Sequence, residues 1–419
     1  METLSIFDRK WKFCIFISLV IFFNIFILRL ANLRYLHNAL LTLTLTSNNL
    51  LMSKNFELLK PLTYNEKGKC NVFEGQWVYK PRENPLYRAS KCPFLSDQVS
   101  CRKNGRPDFE YEKWSWEAND CQIPSFDAID MLERLRGKRV ILVGDSLNRN
   151  QWESLVCLLY SAIPSSRAHV DFREGSYKVF KAKDYNVSVE FYWSPFLVQL
   201  HSNEDTATRV LRIDKLVGSF RHWQGADVMV FNTGHWWVHC GKFKAWDVLQ
   251  YKGKLMDDTK IESAFEIAMK TWASWVDKNV DSTRTTVFFR SISPEHKGDN
   301  WCFNKTKPLM EETSYVPIFP KPLAETVERI VAGMKTQIQY LNITKLSQYR
   351  IDAHPTVYTT KKDKQLIEKK LKTPEITADC SHWCLPGLPD TWNRLLYASM
   401  VLKGSEKSAN SSHEVFGDL

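Results

Sequence analysis

Two short stretches of this chain together hold the parts of an activated serine. Gly144-Asp145-Ser146 follows directly on the apolar, β-branched run Val140 to Val143. Strand, tight glycine turn, serine and then a helix over 149–159 would set a hydroxyl at the end of a buried strand, facing the free N–H groups of a helix start. A serine hydroxyl is a weak nucleophile and needs a base, and the base needs a carboxylate to orient it. Asp379-Cys380-Ser381-His382 supplies both within four residues. A Gly-Asp-Ser tripeptide is by default an ordinary turn, and its place after a buried strand is what lifts it above that. His235, His239 and His354 are alternatives to His382 that composition does not eliminate. Asn232 closes a predicted strand over 227–232 and reads evenly as a turn residue or as an amide donating, with the Ser146 N–H, to an oxyanion.

The elements that must position these groups alternate. Apolar spacing predicts a helix over 126–135, with Ser125 or Asp127 as cap and Gly137 as its stop. Strands are expected over 140–143, 187–193, 227–232 and 286–289, and further helices over 261–276 and 324–334. This order argues for an α/β fold, a parallel sheet with helices on both faces. The catalytic domain is placed at 124–403. A segment rich in Cys, Pro, Trp and Tyr precedes it at 69–123, and a polar tail, read as disordered, follows at 404–419.

The start of the chain suggests an anchor. Residues 13 to 28 are apolar apart from Ser18 and Asn24, and Arg9, Lys10 and Lys12 stand before them. Basic flanks stay cytosolic, so 1–12 reads as a cytosolic tail, 13–31 as a transmembrane signal anchor and 32–68 as a stem leading into a lumenal domain. Ten cysteines without a CxxC pair point to disulfides rather than a metal site. Sequons at Asn186, Asn304, Asn342 and Asn410 are candidate N-glycosylation sites in such a compartment. The 419 residues carry a net charge of +10 and 15 tryptophans. No nucleic-acid signature accompanies the charge, which leaves anionic lipid and acidic polysaccharide, with a lean to the glycan. Core packing accounts for most of the tryptophans, and a groove stacking on flat sugar rings would also suit them.

Longer motifs carry a resemblance. The segments 135–155 (LRGKRVILVGDSLNRNQWESL) and 379–392 (DCSHWCLPGLPDTW), together with Cys92-Pro93-Phe94 and 104–108 (NGRPD), resemble the plant trichome birefringence-like family over roughly 70–401. The resemblance implies an SGNH/GDSL-like fold in the Golgi that O-acetylates wall polysaccharides such as xylan, mannan, xyloglucan and pectin. It assigns Ser146 as nucleophile, Asp379 and His382 as relay and Asn232 as oxyanion donor. It also implies disulfides Cys70–Cys121, Cys92–Cys157, Cys101–Cys384 and Cys302–Cys380, leaving Cys240 as the odd thiol. Ser115, where the family usually has Arg, and Cys240 depart from its pattern. The reading that follows is an O-acetyltransferase working on xylan or pectin through an acetyl-serine. No bound cofactor or metal is called for, only an acetyl donor such as acetyl-CoA as co-substrate. An acetylesterase using the same triad is the first alternative, and a non-enzymatic polysaccharide-binding or bridging protein the second.

Overall fold

The computed structural model describes residues 70–415, apart from 174–176, 203–206, 257–260, 299–300, 312–314, 316, 318 and 370–371. The expected tail, anchor and stem lie outside the described residues. Among the described residues no helix is long and apolar enough to cross a membrane.

The Cys-rich segment contains an antiparallel ribbon of β1 (Gly75–Tyr79) and β2 (Trp114–Ala118), with Trp77 opposite Trp116. Helix α1 (Ala128–Arg134) begins at Asp127, whose carboxylate accepts the N–H groups of Ile129 and Asp130. Then come β3 (Arg139–Gly144), α2 (Ser146–Tyr160), β4 (Ala168–Arg173), β5 (Tyr177–Ala182) and β6 (Val187–Trp193). Next are β7 (Val198–Ser202), β8 (Arg209–Leu216), β9 (Val228–Phe231), β10 (Val248–Tyr251), β11 (Lys254–Met256) and α3 (Ile261–Asn279). The chain ends through β12 (Thr286–Arg290), α4 (Lys321–Ala332), β13 (Ile338–Leu341), α5 (Thr344–Gln348), α6 (Lys361–Glu368), α7 (Pro374–Thr377) and α8 (Leu388–Val415).

The main sheet runs β13-β12-β9-β3-β6-β5-β4, and β13 through β6 are parallel. Side chains alternate between its faces, as the period of a strand requires. Val140 and Leu142 of β3 join Val230 and Phe288 against Trp152, Leu155 and Leu159 of α2, with Leu396 of α8. Ile141 and Val143 join Phe231 and Phe289 on the other face, against Phe265, Met269 and Trp272 of α3 and Val327 of α4. Both faces are therefore covered, which is why the central strands read as unbroken apolar runs.

Three features differ from the sequence reading. The sheet is not purely parallel, because β4 and β5 add an antiparallel edge. A second sheet, β11-β10-β8-β7, buries Leu211, Ile213 and Leu249 in the core that holds α3. These strands escape a search for buried apolar runs because they alternate with Lys, Arg, Gln and His. Lastly, the helix entered at Leu388 continues to Val415, so 404–415 is helical rather than irregular.

Disulfides join Cys70–Cys121, Cys92–Cys157, Cys101–Cys384 and Cys302–Cys380, the pairs the resemblance implies, and Cys240 is free and exposed. Cys101 and Cys384 lie 283 residues apart in sequence. They sit in a core shared by Tyr111 and Trp116 of the Cys-rich segment and Leu147, Trp383 and Trp392. The Cys-rich segment is thus packed directly behind the loop that carries His382.

Candidate active site

The turn at the end of β3 is built by close approach. A Cβ on Gly144 would collide with Oδ1 of Asn232, so only glycine fits. Asp145 caps α2, its Oδ1 accepting the Leu147 N–H at 2.9 Å, and Ser146 is the first helical residue. The Ser146 N–H therefore has no partner within the helix. Asn148 ties this first turn down by donating to the carbonyls of Val143 (2.9 Å) and Val230 (3.0 Å).

Asp145 is fully buried. Asn232 grips it twice, accepting its N–H at 3.2 Å and donating to Oδ1 at 2.9 Å. Its other oxygen lies 3.6 Å from Nδ1 of His235. Burial would raise the Asp145 carboxyl, but His235, the Arg290 guanidinium and the Asn232 amide outweigh it and hold the group well below the usual range. Arg290 is itself buried at the end of β12, and desolvation pulls it down to about 10. Asn232 thus holds the turn first, with one amide hydrogen beyond the bond to Asp145.

His382 approaches from the far end of the chain. Its Nε2 lies 2.7 Å from Oγ of Ser146, and its Nδ1 lies 2.8 Å from Oδ2 of Asp379. The carboxylate accepts a hydrogen bond from Nδ1–H and so fixes the tautomer, which leaves Nε2 to accept the serine O–H. Oδ1 of Asp379 accepts the backbone N–H groups of Ser381 (3.0 Å) and His382 (2.9 Å). Burial works to raise the Asp379 carboxyl, yet His382 and these N–H donors prevail and hold it far below its ordinary value. A bridge to Thr356 fixes the Asp379 backbone, and two disulfides fasten Cys380 and Cys384 on either side of His382. Hydroxyl, imidazole and carboxylate stand in one hydrogen-bonded line, each partly screened from solvent.

Several supporting residues were not singled out from the sequence. Gln98 of the Cys-rich segment donates to Oδ2 of Asp379 at 2.9 Å and sits 3.0 Å from Nδ1 of His382. Arg149 holds the Gln98 carbonyl at 2.7 Å. Asn150 accepts the Trp383 N–H at 2.8 Å and donates to the Trp383 carbonyl at 3.2 Å. Arg149 and Asn150 lie inside the motif quoted above; Gln98 lies in none. Of the alternative histidines, His235 packs beneath Asp145, His239 lies against Trp236, and His354 is buried behind His382. Oγ of Ser115 accepts from Arg394 at 3.3 Å. Among the sequons, Asn186 and Asn304 are exposed on left-handed turns, Asn342 is half-buried, and Asn410 falls in α8. A cavity of about 1300 Å³ lined by Leu86, Arg88, Lys91 and Tyr160 opens at the C-terminal end of α2. Ser146 is at the other end of that helix, about 22 Å away at 1.5 Å per residue, so this cavity does not surround the serine.

A serine at the end of β3, the central strand of the main sheet, and a carboxylate–histidine pair returning near the end of the chain define a protein of the GDSL/SGNH-like class. The chain belongs to the PC-esterase family, described as the GDSL/SGNH-like acyl-esterase family found in Pmr5 and Cas1p, whose model matches residues 123–399. The PMR5 N-terminal domain model matches 68–122. Trichome birefringence-like protein 3 of Arabidopsis thaliana is 41% identical over 79% of each chain. Trichome birefringence-like protein 1 of the same plant is 42% identical over 80% of this chain, which spans 62% of that relative's length. A probable xylan O-acetyltransferase 8 of rice (Oryza sativa subsp. japonica) is 39% identical over 79% of this chain and 78% of its own.

Proposed function

We propose that this protein transfers acetyl groups to hydroxyls of a plant wall polysaccharide, xylan first and pectin second, through an acetyl-serine at Ser146. The observation that carries the reading is the 2.7 Å contact between Nε2 of His382 and Oγ of Ser146, backed by Asp379. The relatives named for xylan O-acetylation point to the acceptor.

His382 takes the Ser146 proton as Oγ attacks the acetyl carbonyl of the donor, for which acetyl-CoA is the first candidate. The tetrahedral oxyanion is met by the Ser146 N–H and the second amide hydrogen of Asn232. The donor leaves with the proton from His382, and acetyl-serine remains. A sugar hydroxyl then attacks, His382 takes its proton, and return of that proton frees Ser146. Asp379 stabilises the imidazolium in both halves. On this reading the 13–31 stretch anchors the protein in the Golgi membrane, with the catalytic domain lumenal and Asn186, Asn304, Asn342 and Asn410 as candidate glycosylation sites.

An acetylesterase is the second reading, because the family is described by acyl-ester chemistry and water can replace the sugar in the second half. The deciding experiment incubates the purified protein with acetyl-CoA and unacetylated xylan and pectin oligosaccharides, read by mass spectrometry. Acetylated oligosaccharide is expected, falling about 10⁴- to 10⁶-fold in Ser146→Ala. Acetate release with no acetylated glycan would sink the transferase reading in favour of the esterase.

A further inference from the structure

Behind His382 lies a pair of histidines that the reaction above does not use. His354 is fully buried and stacks on Trp383 with ring centroids 3.9 Å apart. Its Nδ1 lies 2.7 Å from the backbone carbonyl oxygen of His382. Its Nε2 lies 2.6 Å from Nδ1 of His296, which is also fully buried. Nε2 of His296 in turn lies 2.8 Å from the carbonyl oxygen of Gln348. The row runs carbonyl, ring, ring, carbonyl.

Carbonyl oxygens only accept, so both outer nitrogens must carry protons. The two inner nitrogens then face one another with a lone pair each unless one more proton lies between them. A fully bonded row therefore holds three protons on two rings and one positive charge. Removing a proton turns a lone pair toward a carbonyl oxygen at one end, either at Gln348 or at His382.

Burial opposes the charge. It pulls His296 down to about 4 and His354 well below its ordinary value. The Arg106 guanidinium, which donates to the His354 carbonyl at 2.7 Å, acts in the same direction. The Asp379 carboxylate and the face of Trp383 act against it. Asp352 is spent on Arg350. Glu295 and Lys297 pair with each other, and the Tyr315 ring meets His296 at 5.3 Å. The backbone adds a second tie, since the His296 N–H donates to the carbonyl of Cys380 at 3.0 Å.

We propose that His296 and His354 share an additional proton and act as positioning residues for His382, the His354 Nδ1–H holding the carbonyl of the proposed base while His296 fixes the proton that keeps it there. This rests on the Ser146–His382 reading above. It predicts a brace that loosens in alkali: with the shared proton gone, either two lone pairs oppose each other between the rings or one end of the row, at Gln348 or at His382, loses its donor, and the hold on the His382 carbonyl weakens.

The test uses the full chain labelled with ¹⁵N-histidine. At about pH 6.5, three of the four ring nitrogens of His296 and His354 should be protonated, assigned by comparison with His296→Asn. Only two protonated nitrogens at that pH would overturn the proposal, and this readout needs neither turnover nor a variant that impairs the site. In kinetics, the alkaline decline of acetyl transfer should disappear in His296→Asn, whose amide donates to His354 without titrating; an unchanged decline would count against the brace. His354→Phe keeps the stack on Trp383 and loses the donor, so kcat should fall about 10- to 100-fold with KM nearly constant. Equal kcat in that variant would also overturn it. Absence of acetyl transfer by the unaltered protein would sink the proposed reaction and leave the shared proton to be judged by the spectra.

Discussion

The two sides of Ser146 are built by different means. On the nucleophile side, a single strand end, a glycine with no room for a Cβ and the first turn of α2 set the hydroxyl, and the ties reach to β9 and β12 inside the same sheet. On the base side there is no regular element at all. His382 sits in a loop held by two disulfides, a bridge to Thr356, Gln98 of the Cys-rich segment and an asparagine of α2. The proposed nucleophile is placed largely by backbone geometry and the proposed base largely by side chains drawn from distant parts of the chain. The second arrangement has more joints and should fail first.

The largest test removes the longest joint. Replacing Cys101 and Cys384 together by Ala should cost about 2–5 kcal/mol of stability, measured by denaturant unfolding. It should lower kcat more than any single change in the β3 turn of equal stability cost. Equal kcat at equal stability would break the distinction between the two sides.

Next comes the joint between helix and loop at Asp390, which accepts from Ser154 and the Gly387 N–H and which burial pushes up to about 7. Its unfolded value is about 3.9. Between those values the folded state binds more protons than the unfolded one, so stability should fall as pH rises from about 4 to 7, by up to about 1.4 kcal/mol per unit. Asp379 has the opposite sign: its folded value is depressed, so its contribution is present above about pH 4 and is lost as pH falls. Asp390→Asn should flatten the first slope and leave the acid loss in place, as urea unfolding across pH will show.

A smaller effect is expected on the nucleophile side. Asn232→Ala leaves the Asp145 N–H without its acceptor and should cost about 1–3 kcal/mol. If its second amide hydrogen also meets the oxyanion, kcat falls about 10²- to 10³-fold; a loss of stability with kcat intact would leave it as a structural clamp alone. The smallest effect is expected from Gln98→Ala. His382 keeps Asp379, so kcat should drop by less than about tenfold, for a single lost hydrogen bond of about 1 kcal/mol, with melting temperature barely moved.

The same contrast decides what could be read from the sequence. The strand and turn around Ser146 were legible because every contact that forms them is local or repeats with the period of a strand. The spacing of Asp379 and His382 made their approach to Ser146 plausible as chemistry, and the family resemblance chose His382 over the other histidines. Gln98 was not, because it meets Asp379 across 281 positions and lies in no motif. The β4–β5 edge and the second sheet were missed for a different reason: half-exposed strands carrying Lys, Arg and Gln have no continuous apolar run to betray them. Asn232 was noticed for its position, but its grip on Asp145 is a tertiary fact.

Asn150 gives the site a mechanical property of its own. It clamps both backbone groups of Trp383, the residue after His382, and it stands one turn along the same helix from Ser146. The hydroxyl and the mooring of its base are therefore mounted on one rigid rod. When the helix shifts as a whole, both are carried in the same direction. A shift of the whole helix becomes a common displacement, and the 2.7 Å between Nε2 and Oγ is left to the other joints of the loop.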